Sequence, residues 1–262
     1  MNNSPIGVFD SGIGGLTVVS ELMREMPNEE IIYFGDTARV PYGTKTKETV
    51  TRYSTQIMDF LTTKNVKAVI IACGTVSSNS YNELKVAFNV PLFEMVSSGV
   101  AACLATTQNN KVGVIATEAT IKSGRYEQLI KQAKPQIQVH LKACPLFVPL
   151  AEEGWTDNDV AELTAKIYLS ELREKRIDAL ILGCTHYPLL SNQIQKAIGE
   201  ATLVNPAVEV AKNVRLFLEQ NCLTRTNTQP NHKFYISDNT EKFNRLSQQI
   251  LPQEYAAELV SL

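Results

Sequence analysis

The chain has 262 residues, a net charge of −2 at neutral pH, 44% hydrophobic and 20% charged side chains, the profile of a folded globular protein with a large core. Its 25 basic and 27 acidic residues are nearly balanced and no basic cluster stands out, which argues against nucleic acid as a partner, because duplex binding concentrates Lys and Arg against phosphates. The longest apolar stretches, such as AVIIAC at 68–73, fall short of the roughly 20 residues that cross a bilayer, so no membrane segment is expected. The opening MNNSPIG has neither the basic nor the apolar region of a secretion signal, so a cytoplasmic location is expected.

Short β-rich runs alternate with helix-like stretches along the chain. IGVF at 6–9, IIYF at 31–34, AVIIA at 68–72 and PLFEMV at 91–96 are predicted strands, with helical periodicity in TVVSELMREM at 17–26 and TVTRYSTQIMDFLTTK at 49–64. The order then restarts with VGVIA at 112–116, QVHLKAC at 138–144, ALILG at 179–183 and TLVNP at 202–206. Strands alternating with helices predict parallel sheets, and the restart, offset by roughly 110 residues, predicts two similar halves. KAVIIACGTVSSNSYNELK at 67–85 aligns with DALILGCTHYPLLSNQIQK at 178–196: a buried strand ending in Cys, a polar turn, then a helix. From 207 onward come a helix-like AVEVAKNVRLFLEQ, a polar loop TRTNTQPNHK at 224–233, a strand FYIS at 234–237 and a last amphipathic helix, with no repeat partner. The expectation is an α/β fold of two pseudo-symmetric domains, each a mostly parallel sheet flanked by helices. Residues 1–97 with 207–262 form the first, residues 98–206 the second, and the active site lies in the cleft between them, where strand carboxyl ends bind ligands.

Cys73, Cys103, Cys144, Cys184 and Cys222 are widely spaced and lack the close pairing of a disulfide framework or zinc ribbon, so free thiols are expected. A lone Cys after a buried strand is usually core packing, the reading given to Cys103, Cys144 and Cys222, with Cys103 and Cys222 in helix-like segments. Cys73 and Cys184 differ, because packing gives no reason for both halves to put a thiol at the same sheet edge. Metal binding would need three or four ligands, whereas Cys184 and His186 supply two, with His140 and His232 placed elsewhere. A thiol nucleophile would leave the second Cys unexplained. Two facing thiols suit two-sided proton transfer: a carbon that loses a proton on one face and gains one on the other inverts, which is racemisation.

GVFDSGIGG at 7–15 delivers Asp10 and Ser11 into a Gly-rich turn before a helix, fitting either an anion at the helix N-terminus or a tight turn capped by Asp10; as a dinucleotide fingerprint it is incomplete, because Thr17 takes the place of the last Gly. YFGDTARVPYGTK at 33–45 offers Asp36, Arg39, Tyr42 and Gly43 as a ligand loop, against the alternative of a surface turn with an Asp36–Arg39 ion pair. In the second half Thr117 and Thr120 stand in the place of the DSG turn, and Glu152 and Glu153 are expected at the start of a loop.

GVFDSGIGGLTV, YFGDTARVPYG, the AC-T segment at 72–75, GVIATEATIKSGRY, ACPLFVPLAEEG, GCTHYPLL and FYISD together resemble the bacterial glutamate racemases of the cofactor-independent aspartate/glutamate racemase family, in order and over residues 7 to about 238. The resemblance implies interconversion of L- and D-glutamate without cofactor or metal, supplying D-glutamate for peptidoglycan. It implies that Cys73 works on the D-enantiomer and Cys184 on the L-enantiomer, with Asp10 auxiliary to Cys73, and His186 and Glu152 auxiliary to Cys184. Ser11, Tyr42, Gly43, Gly74, Thr75 and Thr185 match substrate-contacting segments, and Asp36 a supporting acid. A homodimer is common in that family, and its C-terminal part packs back on the first domain. Two departures stand out: Gly74 replaces the usual Asn, removing an amide expected to bind substrate, and NPAVEVA at 205–211 replaces a more acidic, Ser-containing segment. Racemisation of aspartate or another amino acid, and a non-catalytic amino-acid binder of the same fold, are the alternatives.

Overall fold

A computed structural model describes residues 2–226, 229–238 and 240–262; positions 227 and 228 of the expected polar loop lie outside the described residues. The first strands and helices in chain order are β1 (Ile6–Asp10), α1 (Leu16–Glu25), β2 (Ile31–Gly35), α2 (Lys47–Thr63), β3 (Ala68–Ile71), α3 (Gly74–Asn79), α4 (Tyr81–Ala87) and β4 (Leu92–Glu94). They are followed by α5 (Met95–Thr106), β5 (Lys111–Ala116), α6 (Glu118–Lys122), α7 (Arg125–Ala133), β6 (Gln138–Ala143), α8 (Phe147–Glu152), α9 (Asp159–Glu174), β7 (Ala179–Leu182), α10 (Ser191–Ile198) and β8 (Thr202–Val204). Helix α11 (Pro206–Gln220), β9 (Lys233–Ile236), α12 (Thr240–Ile250) and β10 (Ala257–Leu259) complete the order.

Every described strand pairing is parallel. The first sheet has the order β10-β9-β2-β1-β3-β4 and the second β6-β5-β7-β8. The repeat expected from sequence is therefore exact in topology: β2-β1-β3-β4 corresponds strand for strand to β6-β5-β7-β8, and the C-terminal strands extend the first sheet beyond β2. The central strands are buried along their whole length, as parallel strands covered by helices on both faces must be.

On one face of the first sheet, α1, α11 and α12 bury Leu16, Leu22, Val210, Val214, Phe243 and Leu246. On the other, α2 to α4 bury Val50, Ile57, Leu61, Val76 and Leu84. The second sheet repeats this arrangement, with Phe147, Ala161, Leu169 and Ile194 on one face and Val100, Cys103, Tyr126 and Ile130 on the other. Helix α5 joins the two layers, since Met95 packs in the first core and Val96 and Val100 in a core of the second. It crosses α11 at Gly99, where a Cβ would come within 2.9 Å of the Pro206 ring.

Two predicted strands end early, each because a polar side chain caps the next helix. Strand β4 stops at Glu94, whose carboxylate accepts the Val96 and Ser97 backbone N–H groups at the start of α5. Strand β8 stops at Val204: Asn205 accepts the Ala207 N–H at 3.1 Å, and Pro206 occupies the first turn of α11. The NPAVEVA departure is thus a helix start. Strand β10 carries no long apolar run and escapes sequence reading. Cys222 lies beyond α11 and is exposed, in a left-handed backbone conformation, instead of in a helix, whereas Cys103 and Cys144 are buried as expected.

The C-terminal strands are integral to the first core, because the Phe234 ring contacts Tyr33, Phe243 and Tyr255 with centroids 6.1, 5.7 and 4.8 Å away. Truncation of a buried Phe leaves a cavity costing about 3–5 kcal/mol. Phe234→Ala is therefore expected to lower the unfolding free energy by that amount in urea titrations; a loss below about 1 kcal/mol, the size of an ordinary surface change, would show that β9 is peripheral.

Candidate active site

In each sheet the chain runs outward from a central strand to one side and then returns to the other side, so that neighbouring loops diverge between β1 and β3 and again between β5 and β7. Such switch points open a crevice at the carboxyl ends of the strands. Ser11 follows β1 and Cys73 follows β3; Thr117 follows β5, and Cys184, Thr185 and His186 follow β7. The two crevices face each other and enclose one cavity of about 330 Å³.

Ser11, Tyr42, Gly43, Cys73, Gly74 and Thr75 line its first side. Thr117, Glu152, Cys184, Thr185 and His186 line the other. Val40, Pro41, Pro145, Val148 and Pro149 add an apolar wall that sequence reasoning missed as site residues, although they fall inside the YFGDTARVPYG and ACPLFVPL segments. No Lys or Arg is among the lining residues, which leaves hydroxyls, backbone N–H groups and the His186 ring to meet a polar ligand.

The two sides interlock. Thr75 Oγ1 lies 3.0 Å from Thr117 Oγ1, and Thr17 donates from Oγ1 to the Thr185 carbonyl at 2.9 Å. A Cβ at Gly14 would come within 2.5 Å of the His186 ring, so the Gly-rich turn can pass there only without a side chain. A Cβ at Gly74 would run into the Gly183 carbonyl oxygen. Gly at position 74 thus lets the turn after β3 seat directly against the turn after β7.

Asp10 and Asp36 stand behind the cavity wall. Asp10 is buried, and its Oδ2 accepts the Gly12 and Gly15 N–H groups at 3.2 and 3.1 Å, so the aspartate itself takes the anion position of the Gly-rich turn. That turn presents Ser11, whose Oγ accepts the Cys73 thiol at 3.4 Å. Asp36 is fully buried and accepts from Arg39 Nε at 2.6 Å, from Ser237 Oγ at 2.9 Å and from the Tyr42 hydroxyl. The local ion pair considered as an alternative is therefore present, and it fixes Tyr42 on the cavity wall. Thr120 is also buried behind the wall, its hydroxyl 3.0 Å from that of Thr117.

Cys184 Sγ lies 3.7 Å from His186 Nδ1, and His186 Nε2 lies 3.1 Å from Glu152 Oε1. Glu152 is the last residue of helix α8 instead of the start of a loop; its neighbour Glu153 is exposed and outside the cavity. Glu152 Oε2 accepts Lys242 Nζ at 2.6 Å.

The two thiols thus have different electrostatic surroundings. Burial, with the Asp10 charge, pushes the Cys73 thiol up to about 12 against the hydrogen bond to Ser11, so it is held protonated. Asp10 is itself raised, by burial above all. Burial would push the His186 imidazole down, but hydrogen bonds to Cys184 and Glu152, and their charges, outweigh it and raise the ring to about 10. Burial would raise the Glu152 carboxyl, yet hydrogen bonds and charges from His186 and Lys242 hold it at about 2.

A two-layered α/β protein with a thiol on each side of an interlayer cavity is the class that fold and site define together. The comparisons with known proteins agree. Residues 11–214 match the Asp/Glu/Hydantoin racemase family, and the chain belongs to it. Glutamate racemase of Geobacter metallireducens is 49% identical over 248 residues, covering 94% of this chain and 92% of that protein. The crystal structure of glutamate racemase from Francisella tularensis in complex with D-glutamate has a TM-score of 0.93 at 43% identity, covering 100% of this chain and 98% of the other. A glutamate racemase isoform from Bacillus anthracis has a TM-score of 0.97 at 34% identity, covering 100% and 99%.

The Glu152–His186 pair makes stability depend on pH with a definite sign. A carboxyl held at about 2 against an ordinary 4.5 contributes fully above pH 4.5, and that contribution is lost as pH falls through 2. An imidazole raised to about 10 against 6.5 contributes fully below pH 6.5, and that contribution is lost as pH rises through 10. The stability difference between parent and Glu152→Gln is therefore expected to be largest between pH 4.5 and 6.5 and to shrink on both sides in urea titrations; a pH-independent difference would contradict the pairing. Gly74→Ala places a methyl against backbone on the opposite side and is expected to cost about 1–3 kcal/mol in thermal unfolding, and an unchanged melting temperature would show that the two turns are loosely seated.

Proposed function

We propose that the chain is a glutamate racemase that works by two-thiol proton transfer. The observation that carries this reading is the placement of Cys73 and Cys184 on opposite sides of one cavity, each with its own polar partner. L-glutamate bound between them loses its α-proton to the Cys184 thiolate, so the C–H bond breaks and an S–H bond forms. The electron pair left on the α-carbon, delocalised into the adjacent carboxylate, takes a proton from the Cys73 thiol on the opposite face. D-glutamate reacts in the reverse direction, and protons balance because one thiol gains what the other gives.

The unlike surroundings suit unlike resting states. A protonated Cys73 is ready to donate, while His186, with Nδ1 3.7 Å from Cys184 Sγ, is placed to exchange a proton with it. Asp10 acts through the turn that presents Ser11, and Glu152 acts through His186. The hydroxyls of Ser11, Thr75, Thr117 and Thr185, with Tyr42 and the backbone at Gly43 and Gly74, supply the contacts to the substrate's charged ends.

The D-glutamate formed would supply peptidoglycan, a role that a cytoplasmic location suits. We assign residues 1–97 with 207–262 to one lobe and 98–206 to the other, a division that follows sheet membership and falls within α5 and the first turn of α11. A homodimer is supported by Val160, Leu163 and Ile167, exposed along α9 beside exposed Leu146 and Trp155.

In deuterated water, each glutamate enantiomer is expected to exchange its α-hydrogen and to invert without added pyridoxal phosphate. A positioned proton donor or acceptor contributes about 10²–10⁴ in rate, so Cys73→Ala and Cys184→Ala are each expected to lose inversion by at least that factor. Full inversion by either variant, or a requirement for pyridoxal phosphate, would defeat the two-thiol mechanism.

A further inference from the structure

The Cys184 side of the site is held from the opposite lobe. Helix α12 packs on the first sheet, with Phe243 and Leu246 in its core, and this seating turns Lys242 and Arg245 toward the end of α8 in the second lobe. Lys242 Nζ donates to Glu152 Oε2 at 2.6 Å, and Arg245 Nη2 donates to the Glu152 backbone carbonyl at 3.3 Å. The other carboxylate oxygen, Oε1, meets His186 Nε2, and the far side of that ring meets Cys184. One carboxylate thus spans the cleft, with each oxygen committed to a different lobe.

We propose that Lys242 is a positioning residue, which clamps Glu152 from α12, fixes the His186 ring toward Cys184, and so lets the first lobe complete this side of the site. Lys242 is outside the cavity lining, so it acts through Glu152 and not on the substrate. A carboxylate tethered at one oxygen can neither rotate away from the ring nor swing into the cavity. The side chains of Lys242 and Glu152 are 26% and 16% exposed, so water screens their pairing less than it does an open surface pair. Separation of the lobes breaks the contact, since its two halves belong to different sheets.

The proposal rests on the racemase reading, and its test separates the two. In the parent background, Lys242→Met is expected to lower kcat about tenfold with KM nearly unchanged, while Lys242→Arg stays within about twofold of the parent because it keeps the charge and the reach. In a Glu152→Gln background, which lacks the anchored charge, Lys242→Met is expected to add nothing further, the non-additivity of residues acting as one unit. A merely structural role would lower the melting temperature and give additive losses. Nitrogen NMR of the His186 ring supplies a readout independent of turnover: one ring state in the parent and Lys242→Arg, an averaged or shifted one in Lys242→Met. An unchanged kcat in Lys242→Met, additive losses, or an unaltered His186 spectrum overturns the proposal. A parent that fails to racemise glutamate overturns the functional reading instead, and the spectrum still reports whether Lys242 holds the ring.

Discussion

The close seating of two strand-end turns against each other is the constraint on which the site depends. The turn after β3 meets the turn after β7 so tightly that Gly74 has no room for a Cβ beside the Gly183 carbonyl, and the turn after β1 meets His186 at Gly14. Hydroxyl contacts from Thr75 to Thr117 and from Thr17 to the Thr185 carbonyl join the same surfaces. Because each turn is rooted in a central, fully buried strand, the two cysteines inherit the rigidity of the sheets. Catalytic groups carried on mobile loops would need the same spacing to be regained at every turnover.

Duplicated topology does not produce duplicated chemistry. Both cysteines follow the corresponding strand in a repeated sheet, but Cys73 is met by a hydroxyl and a buried aspartate, Cys184 by a histidine coupled to a glutamate and a lysine. A reaction that takes a proton from one face and returns one to the other needs one group ready to give and one able to accept. Under the proposed two-thiol mechanism, the unequal environments would meet that need with one residue type, through burial on the first side and ionic partners on the second.

Much of the architecture was legible because its signals are local. Alternation of apolar runs with helical periodicity marks nine strands close to their observed places, and the restart after residue 110 exposes the repeat. The errors are local too: Met95 and Val96, and Asn205 and Pro206, read as strand continuations until the Glu94 and Asn205 side chains are seen capping helices, and β10 has too little apolar sequence to announce itself. Asp10 and Asp36 were visible as acids next to strand ends, but their positions behind the wall, as holders of the Gly-rich turn and of Tyr42, depend on hydrogen bonds that no spacing reveals.

The sequence by itself determined the two-fold α/β pattern, the matched Cys73 and Cys184 at equivalent strand ends, and the family resemblance carried by its motifs, since each is a matter of residue order over short distances. What the fold adds is the contact chain behind each thiol, Lys242 above all, which no motif announces. Glu152 reaches His186 across 34 residues and Lys242 reaches Glu152 across 90, and neither pairing follows from periodicity. The first depends on how α8 packs within the second lobe, and the second on the relative orientation of the two sheets, which is set by the packing of α5 between the layers and against α11, and by the fit of facing turns. Such contacts are products of long-range packing, where the free energy of many apolar contacts, and not the preference of any single segment, fixes the geometry.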